Sequence, residues 1–110
     1  MRKQSSATLR RRRGALIRAL PPLEPLLHGS LIERYKRCGK PGCRCASGRG
    51  HGPKYYLSVS RTGGRPEMDY VPEDHREQVE GGLEKHRRVR QILNEICDIN
   101  RELLRRRERL

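Results

Sequence analysis

Three cysteines and a histidine crowd into fourteen residues of this chain: Cys38-Gly-Lys-Pro-Gly-Cys43-Arg-Cys45-Ala-Ser-Gly-Arg-Gly-His51, a C-x4-C-x-C-x5-H spacing. A segment so rich in glycine and broken by proline suits neither helix nor strand, so its order must come from its side chains. Zn²⁺ takes four thiolate and imidazole ligands in a tetrahedron, and Cys3His is a closed structural set. Gly39, Pro41 and Gly42 let the chain double back between Cys38 and Cys43. In extended backbone Cys43 and Cys45 point to one side and can reach one ion. Gly48 and Gly50 permit a second reversal that carries His51 inward. The expected site is one Zn²⁺ held by Cys38, Cys43, Cys45 and His51, with His28 or Cys97 as alternative fourth ligands.

An ion matters here because the chain has little else to fold around. Of 110 residues, 33% are hydrophobic and 35% charged, and the aromatics are four Tyr with neither Phe nor Trp. A core that small needs a metal, a disulfide or a partner to offset conformational entropy. The longest apolar stretch, Gly14 to Leu27, is interrupted by Arg18, Pro21, Pro22, Glu24 and Pro25. It suits neither a signal peptide nor a membrane span. A reducing cytoplasm is expected, where such cysteines act as metal ligands sooner than as disulfides.

The pattern predicts an α+β chain in four parts. Residues 1–13, ending in Arg10-Arg11-Arg12-Arg13, read as a disordered basic arm. Residues 14–28 read as a short helix of about two to three turns ending near Leu20, then a linker opened by Pro21-Pro22. Residues 29–72 read as a zinc-stabilised three-stranded antiparallel meander. Its first strand covers Leu31 to Arg37 and its second Tyr55 to Ser60, with Tyr55, Leu57 and Val59 on one face. The turn Thr62-Gly63-Gly64-Arg65-Pro66 leads into a third strand, Glu67 to Val71, placing Met68 and Tyr70 on a common face. Residues 73–110 read as helix, with Asp74 and Glu77 at capping-box spacing and a kink or break at Gly81-Gly82. Val89, Ile92, Ile96, Ile99 and Leu103 recur at three- and four-residue steps, a coiled-coil seam expected to carry self-association. Cys97 reads as a small apolar residue beside that seam, and His75 and His86 as solvent-facing.

Charge is segregated along the chain. Residues 1–72 carry sixteen Lys/Arg against four acids, whereas residues 73–110 carry ten against nine. A positive field concentrated in one part is what a polyanion-binding surface requires. Candidate contacts are Arg10, Arg11, Arg12 and Arg13 in the arm. In and around the meander they are Arg34, Lys36, Lys40, Arg44, Arg49, Lys54, Arg61 and Arg65, with Tyr35 and Tyr56 available for stacking.

Gly29-Ser30-Leu31, Cys38-Gly-Lys-Pro-Gly-Cys43-Arg-Cys45, His51-Gly52-Pro53, Tyr55-Tyr56-Leu57 and Tyr70-Val71-Pro72 occur in that order. In this the chain resembles a family of short bacterial proteins, classed as a domain of unknown function and loosely associated with mobile genetic elements. The resemblance runs from about Gly29 to Leu104. It implies a DNA-related role without an established activity.

Enzymatic readings fit less well. Cys38-x5-Arg44 matches the phosphate-binding loop of cysteine phosphatases and arsenate reductases. However, Arg37 stands where many phosphatases have His, and Cys45 where they have Ser or Thr. Pro41 also removes a cradling amide. A Cys/His nucleophile–base pair would lack an orienting acid. The expectation is therefore not an enzyme but a zinc-stabilised, nucleoid-associated DNA-binding accessory protein serving a transposase or recombinase, as a homodimer or docked to that larger enzyme. The rivals are an RNA- or ribosome-binding protein and a protein-interaction adaptor dimerising through its C-terminal helix. Neither a membrane nor a small-molecule substrate is expected as partner.

Overall fold

The computed structural model describes residues 1–36 and 51–110, the side chains of Lys36, His51 and Gly52 excepted. The elements run α1 (Ser6–Arg18), β1 (Ser30–Lys36), β2 (His51–Val59), β3 (Glu67–Val71), a 3-10 turn (Glu73–His75) and α2 (Arg76–Arg105). The architecture is α+β, as the periodicities predict. The chain divides into two compact units, one formed by Met1–Glu24 with Glu84–Leu110, the other by Pro25–Leu83.

The first unit is helical. Ser5 caps α1, its Oγ accepting from the Thr8 N–H at 3.1 Å. The helix ends at Ala19 because Leu20 precedes Pro21, whose ring excludes helical backbone from the residue before it. Leu9 and Leu16 of α1 are buried with Ile92, Ile99 and Leu103 of α2, and Leu20 and Ile96 pack against them. This corrects two expectations. The basic stretch is no disordered arm from residue 6 onward: arginine is a good helix former, and Leu9 supplies an apolar anchor two turns before Leu16. The seam of α2 does not await a second copy either. Ile92, Ile99 and Leu103 are covered by α1 of the same chain, Ile96 lies against them, and Val89 is buried as well.

Past Arg105 the chain closes in a Schellman turn. Arg107 takes positive φ (59°), the Glu108 N–H donates to Leu103 O at 3.0 Å, and the Arg107 N–H to Leu104 O at 2.9 Å. Buried Glu102 lies 3.8 and 4.0 Å from the Arg105 and Arg106 guanidinium groups. Arg106 in turn donates to Ser6 Oγ at 3.1 Å and to the main-chain oxygens of Met1 and Arg2 at 3.3 and 3.2 Å.

The second unit is a meander in the order β1-β2-β3, both pairs antiparallel. Leu31 pairs with Leu57 and Leu57 with Asp69, while Tyr56 pairs with both Ile32 and Tyr70. Alternation thus puts Leu31, Tyr55, Leu57, Val59 and Val71 on one face. There Leu57 and Val71 are buried with Leu83 of α2, backed by Leu27 and Val79. Gly29 (φ +127°) opens β1, and a Cβ there would stand 2.6 Å from Ser58 O.

No break occurs at Gly81-Gly82: α2 runs unbroken for 30 residues, about 45 Å. Gly82 is instead a packing requirement. A Cβ on it would collide with Pro25 O and press on Leu27 at 3.3 Å, and Gly82 O accepts from the Leu27 N–H at 3.2 Å. The expected Asp74 cap does not form, since no side chain caps the turn at Pro72 and Asp74 Oδ1 lies 3.0 Å from His75 Nδ1. The two glycines should therefore respond oppositely to alanine. Gly81→Ala, with open space around it, should raise stability by about 0.5–1 kcal/mol. Gly82→Ala should cost about 1–3 kcal/mol in chemical denaturation, because backbone must give way.

Candidate nucleic-acid interface

One face of the sheet packs on α2, so the register dictates what the other presents. Ser30, Ile32 and Arg34 of β1, Lys54, Tyr56 and Ser58 of β2, and Met68 and Tyr70 of β3 share that second face through their cross-strand pairings. None of these side chains is buried. Tyr56 and Tyr70 meet edge to face, with ring centroids 5.7 Å apart and planes inclined by 65°. The Arg34 guanidinium carbon lies 5.9 Å from the Tyr56 centroid, within cation–π range. Arg34 and Lys54 stand opposite each other across β1 and β2.

The charges divide by face. Among the described strand residues the open face carries Arg34 and Lys54 and no carboxylate. Glu33, Glu67 and Asp69 all fall on the alternate positions, with the core-side residues. The same alternation that hides the aliphatic residues thus sorts cations from acids.

The other predicted contacts fare differently. Within the helical unit three of the four clustered arginines are engaged. Arg12 makes a two-pronged pair with Glu95, both contacts at 3.1 Å, and that carboxylate raises the Arg12 pKa. Arg13 donates to Asn100 Oδ1 at 2.7 Å and to the main-chain oxygen of Leu110 at 3.0 Å, and Arg10 to that of Arg109 at 2.7 Å. These three tie α1 to α2 and to the residues that follow it; Arg11 is exposed. Arg61 donates to Glu67 at 2.7 Å, while Arg65 is exposed in the turn. Tyr35 lies at the register shift between Arg34 and Lys36, outside the regular alternation. Tyr70 is missing from the predicted stacking residues, since only the pairing of β3 with β2 places it on the face of Tyr56.

Tyr55 is committed to the other side. Its hydroxyl donates to Glu33 Oε1 at 3.2 Å and accepts from Arg76 Nη1 at 2.7 Å, with the Arg76 guanidinium 4.8 Å from the ring centroid. Desolvation raises the Tyr55 pKa, as does the bond to Glu33, and Arg76 opposes them.

The expected ligands Cys38, Cys43 and Cys45 lie outside the described residues, as do Lys40, Arg44 and Arg49, and so do the side chains of His51 and Lys36. The backbone of His51 pairs with that of Lys36, two residues before Cys38. Among the described residues no group of three or more His, Cys, Asp or Glu could hold a metal ion. Cys97 is exposed on α2 and not tucked beside the core, and His28 is exposed in the segment before β1. Among the described residues no helix is long and apolar enough to cross a membrane.

Residues 6–81 match the model of a family described as Domain of unknown function (DUF6788). The chain belongs to this family. The match begins with α1, takes in the sheet, and ends at Gly81, one residue before the glycine packed on Leu27, so it starts earlier and stops sooner than the span read from the motifs. No curated protein and no solved structure is significantly similar to the chain.

The Tyr55 contacts give a pH dependence. A pKa raised on folding means that the fold favours the neutral phenol. This stabilisation is complete below the ordinary tyrosine pKa of about 10 and is lost as pH rises through the higher folded value. Denaturation followed from pH 7 to 11 should show an alkaline loss in the wild type that Tyr55→Phe lacks. Parallel curves would contradict this assignment.

Proposed function

We propose that this protein binds nucleic acid, DNA in the first instance, through the open face of its sheet. The observation carrying this reading is the surface that pairs Arg34 with Lys54 beside Tyr56 and Tyr70 and, among the described strand residues, holds no carboxylate. Two cations supply sequence-independent attraction to phosphates, and exposed rings supply contact to bases. Arg65, exposed in the turn between β2 and β3, extends the basic character. The protein acts as a non-enzymatic accessory, serving a transposase or recombinase in the nucleoid.

The reading includes one structural Zn²⁺ held by Cys38, Cys43, Cys45 and His51. The donor set supports it, as does the pairing of Lys36 with His51, which joins the backbones at the two ends of the segment carrying the donors. Bound zinc would supply folding energy to a unit whose buried apolar set, among the described residues, is Leu57, Val71 and Leu83.

Titration of equal-length duplex DNA and structured RNA at two salt concentrations tests the partner, with DNA expected to bind more tightly at both. Arg34→Ala with Lys54→Ala should weaken binding and flatten the log–log salt slope by about 1.4–1.8. An unchanged slope would remove this face from the interface. One zinc per chain should persist through gel filtration, and Cys43→Ser should lose both the metal and the folded sheet. Equimolar zinc in a Cys38/Cys43/Cys45 triple-serine variant would contradict the metal site.

A further inference from the structure

The two rings on the open face are not equivalent. Tyr56 sits on the central strand, half-buried, with the Arg34 guanidinium at 5.9 Å and the Tyr70 ring at 5.7 Å. Tyr70 sits on the edge strand β3 and remains 56% exposed. Rings inclined by 65° cannot both lie parallel to one base, so a single base has to choose between them. Tyr70, the more exposed of the two, has more of its ring to offer.

We propose that Tyr70 is a platform on which one unpaired base stacks, making single-stranded DNA the preferred ligand; this rests on the nucleic-acid reading above. Tyr56 is then a positioning residue. Its ring packs against that of Tyr70 and lies within cation–π range of Arg34 on the adjoining strand. Lys54 lies two residues before Tyr56 on the same face, about 7 Å along the strand, and Arg34 stands opposite Lys54. A nucleotide whose base covers Tyr70 therefore finds cations beside the rings for its phosphate. Bases inside a duplex are already stacked on their neighbours and cannot also cover a ring on a sheet surface. Only a freed base can. Ile32 and Met68, on the same face, add apolar surface and no competing charge.

The test uses the full chain with three probes: a short oligothymidylate, an abasic oligomer with the same number of phosphates, and a duplex of equal length. The chain has four Tyr and no Trp, so its intrinsic fluorescence reports on tyrosine alone. Oligothymidylate should bind roughly tenfold more tightly than the abasic strand and quench that emission. It should also outcompete the duplex. Tyr70→Ala should erase the difference between the two single strands, and Tyr70→Phe should keep it. If Tyr70→Ala fails to fold, Tyr70→Leu retains bulk without a ring and should behave as the alanine variant was expected to. Equal affinity of the wild type for both single strands, or a preference surviving in the Tyr70→Leu variant, overturns the stacking role and leaves the nucleic-acid reading standing. Binding to none of the three probes overturns both.

Discussion

Among the described residues, both buried apolar clusters draw on the same helix. Val79 and Leu83 of α2 join Leu57 and Val71 of the sheet, and farther along Ile92, Ile99 and Leu103 join Leu9 and Leu16 of α1. A chain with so little apolar mass cannot cover a three-stranded sheet twice, and α2 supplies apolar side chains to one face. On the other face, Arg34, Lys54, Tyr56 and Tyr70 are not buried by any of the described residues. The placement of Gly82 belongs to the same economy, since only a residue without Cβ lets Pro25 and Leu27 come so close to the helix.

The division of charge follows from the two-residue period of a strand. Acids at Glu33, Glu67 and Asp69 share positions with the buried aliphatics, and cations at Arg34 and Lys54 share positions with the exposed rings. Acids on that side have local uses, as when Glu33 accepts from Tyr55 and Glu67 from Arg61. The open face is thereby free of carboxylates among the described strand residues, the condition under which modest numbers of cations attract a polyanion. Within the basic run of α1, Arg12 is offset by Glu95, while Arg10 and Arg13 keep their charge and are oriented by main-chain and amide oxygens.

Much of the fold was legible in the sequence where one period dominated. Alternation over Tyr55 to Val59 and over Met68 to Val71 gave the strands and their faces, and the three- and four-residue steps after Val89 gave the helix. The misreadings arose where two explanations share one pattern. Four consecutive arginines look like a solvated tail, but with Leu9 before them and Leu16 after they are also the polar side of a helix. A heptad seam looks the same whether a second copy or the chain's own α1 fills it. Paired glycines signal a break only when nothing needs their lack of a side chain, and Gly82 is needed. At the candidate site, Arg34, Lys54 and Tyr56 were readable as exposed polar or aromatic strand positions. Tyr70 required the pairing of β3 against β2, a non-local fact.

The central claim is that ligand contact falls on the open sheet face. Backbone amide chemical shifts recorded while oligothymidylate is titrated into the full-length protein test it most directly. Perturbations should centre on Arg34, Lys54, Tyr56 and Tyr70 and leave the paired arginines of α1 in place. Shifts confined to Arg10, Arg12, Arg13 and their partners on α2, with the sheet unmoved, would contradict it.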